Sequence, residues 1–475
     1  MEIPPPRYSG LTFPAVAAVA LSVLALALVA ALTSAGSVAV ASVAVVFALG
    51  LGVALLRPGP TARLVIVLAL QVFQLVNDEG LSLGEVVGGL GLLAYLGHWY
   101  GAALLNRRVL VTSWFDVAAL TWGVGGLVGG AVLGQLFGAD PYDFRADLLA
   151  TLPFLLYLPV KDACARSPRA SQLVAGIVIG FGVYSTAVNG LALRSALAGA
   201  EWYAIADARF ITGEAPILAG LLLALSGVTV ARGRRDQVVL ILLSGLLMGG
   251  LILTKSRGYW IAAVCGLVVI AAMASKPARR RLLAYGALGG VLFGGFAVVF
   301  FGERVALLAL GAIDRLISIQ TAGTSISMLN RFAESAAAWE KIRVNPVLGY
   351  GWGVQVTHYS IIGSGTRHWA FLHNGYLALW LKTGLWGLGL MATAWIGGIA
   401  RGISASRTPR LAAASRGTGL AAAGALSGFA LVAITSNPFS LLDQMLIVTL
   451  MLALAHGAGA RGQAVGAKGS VRLRS

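Results

Sequence analysis

Apolar runs close to 20 residues long recur along this 475-residue chain, separated by short polar loops, and that recurrence leaves few folds open. A helix needs about 20 apolar residues to cross the hydrocarbon of a bilayer, where its backbone N–H and C=O groups must be satisfied internally. By that criterion about fourteen candidate spans are read. They cover 11–34, 37–56, 62–77, 82–105, 110–138, 148–160, 171–197, 210–231, 236–254, 257–275, 282–301, 371–398, 415–435 and 441–459. The sixth is short and the third marginal, so the expected fold class is all-α: a polytopic membrane bundle of about 12–14 transmembrane helices. Only 11 % of residues are charged, where a soluble domain has about a quarter. The first run, Leu11–Thr33, is longer than a signal-peptide core and is expected to be retained as an anchor.

The net charge of +17 would suit nucleic acid if the cations were clustered, but they sort by loop. Every second loop is basic: Arg57/Arg63, Arg107/Arg108, Lys161/Arg166/Arg169, Arg232/Arg234/Arg235, Lys276/Arg279/Arg280/Arg281, Arg401/Arg407/Arg410/Arg416, and the tail Arg461/Lys468/Arg472/Arg474. The alternate loops carry Asp78/Glu79, Asp140/Asp143/Asp147 and Glu201/Asp207, then the long polar interval 302–370. This is the pattern of positive-inside sorting, and it excludes nucleic acid as the partner. Both termini are expected in the cytoplasm and 302–370 outside. Four segments follow: N-terminal spans 1–301, a large outer loop 302–370, C-terminal spans 371–460 and a basic cytoplasmic tail 461–475.

Within the outer loop, 305–319 and 328–342 are amphipathic. Met328, Leu329, Phe332, Ala336, Trp339 and Ile342 fall on one helical face, Ser327 is a candidate N-cap, and Asn345-Pro346 ends the helix. Such helices can lie flat in the interface, so the loop is read as a small helical cap without strands. Gly349-Tyr350-Gly351-Trp352-Gly353 follows no strand and reads as flexible glycine turns, not a dinucleotide fingerprint.

Orientation requires no cations on the outer face, yet Arg209, Lys255, Arg257, Arg304, Arg315, Arg331, Lys341, Arg343 and Arg367 are there. Guanidinium pairs bidentately with phosphate, so this cluster suits a lipid-linked phosphate. The alternative is pairing with Asp207, Glu214, Glu303, Glu334 or Glu340, or snorkelling to headgroups. His373 opens an outer-face helix, where a helix N-terminus disfavours the imidazolium and keeps a base neutral. Its alternative is an interfacial histidine bonded to a loop carbonyl. His358 and His368 are spare candidates, while His98 and His456 read as packed polar residues within or near spans. Glu85, Asp116 and Lys382 lie inside spans and leave a solute transporter as an alternative. Cys164 and Cys265 suggest neither disulfide nor metal site, and no ligand cluster has metal spacing.

These residues resemble the O-antigen ligase/polymerase superfamily of bacterial envelope glycosyltransferases. The resemblance is carried by Arg331, Trp339, Pro346, Gly349 and Gly351, then His373-Asn374, nine residues, and Gly384-Leu385-Trp386-Gly387. Ser256-Arg257-Gly258 is similar to the family's upstream arginine site. The resemblance implies inverting, metal-independent and cofactor-free transfer of a glycan from undecaprenyl diphosphate to an acceptor hydroxyl, on the periplasmic face of the inner membrane. In that reading His373, Arg331 and Arg257 are catalytic, and Arg209, Asn374, Trp339, Lys255, Tyr350 and Arg343 bind substrate. The implied partners are the undecaprenyl-diphosphate-linked glycan donor, a lipid A–core or other glycan acceptor, and membrane lipids. A ligase acting on lipid A–core is favoured over a polymerase of the same superfamily.

Overall fold

The computed structural model describes residues 59–75, 83–199, 212–231, 233–301, 311, 313, 326–361 and 364–472. The expected spans 11–34 and 37–56, most of the expected helix 305–319, and Arg209 lie outside the described residues.

The described helices are α1 (Pro60–Leu70), α2 (Leu83–Leu105), α3 (Trp114–Leu136), α4 (Pro141–Thr151), α5 (Tyr157–Arg166), α6 (Pro168–Gly199), α7 (Glu214–Val230), α8 (Arg234–Leu253), α9 (Arg257–Met273) and α10 (Lys276–Phe301). After the interval come α11 (Ile326–Val344), a hairpin of β1 (Val356–Ser360) and β2 (Gly365–Trp369), then α12 (Gly375–Ser406), α13 (Ala413–Thr435) and α14 (Leu442–Arg472). Seven helical segments among the described residues are long and apolar enough to cross a membrane, and three shorter apolar helices accompany them. The chain is an all-α, multi-pass membrane protein, as expected.

The boundaries follow local chemistry. Ser113 caps α3 by accepting from the Asp116 N–H. Asp140 caps α4 by accepting from Tyr142 and Asp143, with Pro141 in the first turn. The short span expected over 148–160 is in fact a segment from Pro141 to Arg166, bent at a 3₁₀ turn over Leu152–Leu156. Hydropathy missed its first turns because Asp143 and Asp147 look too polar for a membrane. Asp147 is nonetheless buried, 2.7 Å from Lys382 Nζ. Asp116 is paired likewise with Lys161 at 2.7 Å and accepts from the Tyr157 hydroxyl at 2.9 Å. Two of the three ionisable residues that suggested a transport path are therefore fixed in buried pairs. The third, Glu85, belongs to α2.

At the centre, α13 packs on α9 through small residues. A Cβ on Gly428 would stand 2.7 Å from the Ala262 carbonyl, and one on Gly266 3.0 Å from that of Gly424. Without side chains in the way the backbones approach closely, which is how helices associate in lipid. Contacts define the two ends of the bundle. At one end Arg461 reaches the carbonyls of Cys164 and Ala165, and Arg407 reaches Met273. At the other lie the α3–α4 turn, the start of α9, the end of α13 and the 326–369 segment.

That segment departs from a purely helical cap. In β1, Val356, His358 and Ser360 point inward while Thr357 and Tyr359 point out. The strands are only five residues long and half polar, so they gave little period-two signal. α11 also turns differently from its apolar stripe. Its buried line is Asn330, Glu334, Ala338 and Ile342, one residue per turn, while Leu329, Phe332 and Trp339 are 43 %, 58 % and 44 % exposed. An outward apolar face on a helix too polar to span suits a position along the interface. Ser327 lies within the first turn of α11, and the helix stops at Val344, just before Asn345-Pro346.

Candidate functional site

Four chain segments meet at Thr435-Ser436, where α13 ends. Arg331 of α11 donates from Nη1 to the Thr435 carbonyl at 2.8 Å. The Gly375 N–H, two residues after His373, donates to the Ser436 carbonyl at 3.2 Å. A Cβ on Gly258, the neighbour of Arg257, would lie 3.1 Å from Thr435 Oγ1. The start of α9, the second turn of α11 and the start of α12 are thus brought together from positions far apart in sequence.

The histidine is held by a glutamate. His373 Nδ1 lies 2.8 Å from Glu334 Oε2, and the His373 backbone N–H approaches the same oxygen at 3.4 Å. An ionised carboxylate can only accept, so Nδ1 carries a proton, and in the neutral ring the acceptor nitrogen is Nε2. The other carboxylate oxygen accepts from Asn330 Nδ2 at 3.1 Å and has His358 Nε2 at 3.9 Å. Asn330 in turn accepts from the Ile361 N–H, tying the hairpin to α11. The Glu334 and His358 side chains are each 2 % exposed, whereas that of His373 is 31 % exposed. Burial alone would raise the Glu334 carboxyl, but the His373 hydrogen bond and the nearby imidazoles hold it below the ordinary glutamate value. The result is an imidazole oriented by a buried carboxylate and itself partly exposed.

Sequence reasoning missed Glu334, treating it as one more partner for arginine. Its signal was the four-residue spacing Asn330, Glu334, Ala338, Ile342, a polar pair on an otherwise small and apolar stripe. Arg343 does pair with a carboxylate, 3.3 Å from Glu340 on the exposed side of α11.

The other expected residues divide. Lys255 lies next to the Arg257 turn, 3 % exposed and at a φ of 48°, a conformation rare outside glycine and concentrated at functional sites. Asn374 accepts from the Leu377 N–H and caps α12, so what it can offer a ligand is its amide NH₂. Trp339 packs edge-on against Trp380 and Arg343 lies near it, both about opposite Glu334 on the α11 wheel and away from His373. Tyr350 packs against Phe137 and donates to the Lys341 carbonyl, on the other side of the cap loop.

The glycine stretch is not a set of flexible turns. Gly349, Gly351 and Gly353 all take positive φ, and the loop is threaded between α3 and a break in α12 at Gly384 (φ 68°, ψ −178°). The break exposes backbone groups that the loop satisfies. Tyr350 N–H donates to Leu381 O, Gly351 N–H to Lys382 O, and Leu385 N–H to Pro346 O, each at 2.9 Å. A Cβ on Gly349 would sit 2.5 Å from the Gly384 nitrogen, so only glycine fits. Trp352 inserts further and donates from Nε1 to the Gly126 carbonyl at 2.7 Å. Non-helical backbone within a membrane bundle is tolerated where protein supplies partners, as it does in these bonds. Among the described residues no group of three or more side chains could hold a metal ion.

Fold and site together define a polytopic helical membrane protein in which a glutamate-oriented histidine, Arg331 and the start of α9 lie at one end of the bundle. Residues 238–392 match the O-antigen ligase family model, which bears out the resemblance over about a third of the chain. That superfamily comprises glycosyltransferase-like ligases and polymerases acting on lipid-linked glycans in membranes. The match takes in Arg257, Arg331, Glu334, His373 and the Gly384 break. No curated protein matches the chain.

Proposed function

We propose that this chain is an O-antigen ligase-type glycosyltransferase of the bacterial inner membrane, with its basic loops in the cytoplasm and His373 on the periplasmic face. Its donor is a glycan on undecaprenyl diphosphate and its acceptor a hydroxyl of lipid A–core oligosaccharide. The observation that carries this reading is the junction at Thr435-Ser436, where Arg331, the Arg257 turn and the His373 helix meet.

In this mechanism the acceptor O–H gives its proton to His373 Nε2 as the oxygen bonds to the anomeric carbon. The carbon–oxygen bond to the diphosphate breaks with its electron pair, and the glycosidic linkage inverts. Glu334 keeps His373 in the tautomer that leaves Nε2 basic and stabilises the imidazolium that forms. Arg257 and Arg331 offset the charge developing on the departing diphosphate. A diphosphate on a lipid carrier is already an activated leaving group, so neither metal nor nucleotide is required.

The test is reconstitution with a defined undecaprenyl-diphosphate glycan, offering rough lipopolysaccharide and a second donor molecule in parallel. Sugar added to lipopolysaccharide supports the ligase. Sugar added to the second donor assigns a polymerase, and no transfer to either sinks both.

A further inference from the structure

The hairpin has two working faces. Residues paired across it share a face: His358 with Arg367 on one side, Thr357 with His368 on the other. The first side turns His358 toward Glu334. The second turns away from the His373 pair and forms the wall of a cavity of about 260 Å³, closed on its far side by the α3–α4 turn and beneath by the glycine loop.

The polar groups of this cavity are pre-set. Lys341 Nζ donates to the Gln355 carbonyl at 2.7 Å, and the Gln355 side-chain amide donates to Asp143 at 2.7 Å. Thr357 Oγ1 and His368 Nδ1 lie 2.9 Å apart, and Asp140 is fixed by capping α4. Each anchored group retains hydrogen-bonding capacity: two Lys341 N–H bonds, the second ring nitrogen of His368, the second carboxylate oxygen of Asp140, and lone pairs on Thr357 and Tyr350. The lining thus carries both donors and acceptors, and both an ammonium, Lys341, and a carboxylate, Asp140. A dedicated anion site would be one-signed, and a lipid tail would need an apolar wall. A ring bearing several hydroxyls, each both donor and acceptor, matches this lining.

We propose that this cavity is a sugar subsite that takes one pyranose ring of the glycan, remote from the bond being made. The ligand class rests on the transferase reading; the site itself rests on the cavity and its fixed polar groups.

The experiment uses the full chain in lipid nanodiscs, with methyl glycosides of glucose, galactose and N-acetylglucosamine as probes in saturation-transfer NMR. At least one should show ring-proton enhancement with the unaltered protein and with His373→Ala. Thr357→Trp, which fills the cavity from an exposed strand position that tolerates aromatics, should weaken that enhancement at least fivefold. His368→Ala, which adds no bulk, should weaken it at least twofold. In a transfer assay Thr357→Trp should raise KM for whichever substrate supplies the ring, donor or acceptor, with kcat unchanged. The proposal is overturned if no probe binds, if both cavity variants keep the thermal midpoint and the full signal, if the signal vanishes in His373→Ala, or if neither KM moves. Probe binding together with undiminished transfer by His373→Ala would instead remove the proposed mechanism and leave the subsite standing.

Discussion

Lys382 Nζ lies 2.7 Å from Asp147 Oδ1, two residues before the break in α12 at Gly384. Asp147 accepts at its other oxygen from the Gly353 N–H, and Lys382 also donates to Ser440 at 3.2 Å. One buried ion pair thus joins α4, α12, the glycine loop and the α13–α14 connection.

Removing one partner leaves a buried charge uncompensated, so Lys382→Met and Asp147→Asn should each destabilise by about 3–5 kcal/mol. The double substitution should cost clearly less than the sum. Thermal midpoints of the four proteins in one detergent check this. Additive losses would show that the pair is not coupled.

Glycine at 384 carries a backbone conformation closed to other residues. Gly384→Ala should therefore destabilise by at least about 1–3 kcal/mol from backbone strain alone. Limited proteolysis of the 345–355 loop should show it released. An unperturbed loop in a folded Gly384→Ala protein would refute the account of the break.

His373→Ala should lower transfer by at least about 10²–10⁴-fold while donor binding persists. Glu334→Gln keeps the shape but withdraws the negative charge, and should lower kcat by about 10²-fold with little change in KM. Steady-state kinetics separate the two effects. Normal kcat in Glu334→Gln would mean that the carboxylate does not act through the imidazole.

Because Glu334 titrates below the ordinary glutamate value of 4.5, the unfolded chain takes up its proton first. Its contribution to stability is full above that pH and is lost as pH falls through the folded value. The thermal midpoint should fall as pH drops through and below that reference value of 4.5, and fall less steeply in Glu334→Gln. Parallel slopes would contradict the assignment.

Arg331→Ala and Arg257→Ala should each lose about 10²–10³-fold in transfer, since in the proposed mechanism each offsets charge on the leaving group. Arg343→Ala should lose less than about fivefold, because its partner Glu340 is exposed and the pair weak. Turnover by the three variants decides it, and equal tolerance would discard the diphosphate assignment.

Much of this architecture was legible in one dimension. Apolar length marks a span, because that property belongs to one continuous stretch of chain and needs no distant partner. The motif positions Pro346, Gly349, Gly351 and Gly384 were visible too, though not their reason for coexisting. They meet in space, where loop backbone satisfies a broken helix.

What the linear sequence determined was the class: a bilayer admits only helices that satisfy their own backbone, so hydropathy alone gives the polytopic bundle, and His373 stands out by residue type. Only tertiary structure decided which face of α11 turns inward, and with it that Glu334, not an arginine, meets the imidazole. It also decided that Asp147 is buried against Lys382 and that Thr357 and His368 line a cavity. The reason is that a charge or a polar face is settled by its partner across the fold, and these partners lie 39 and 235 residues away.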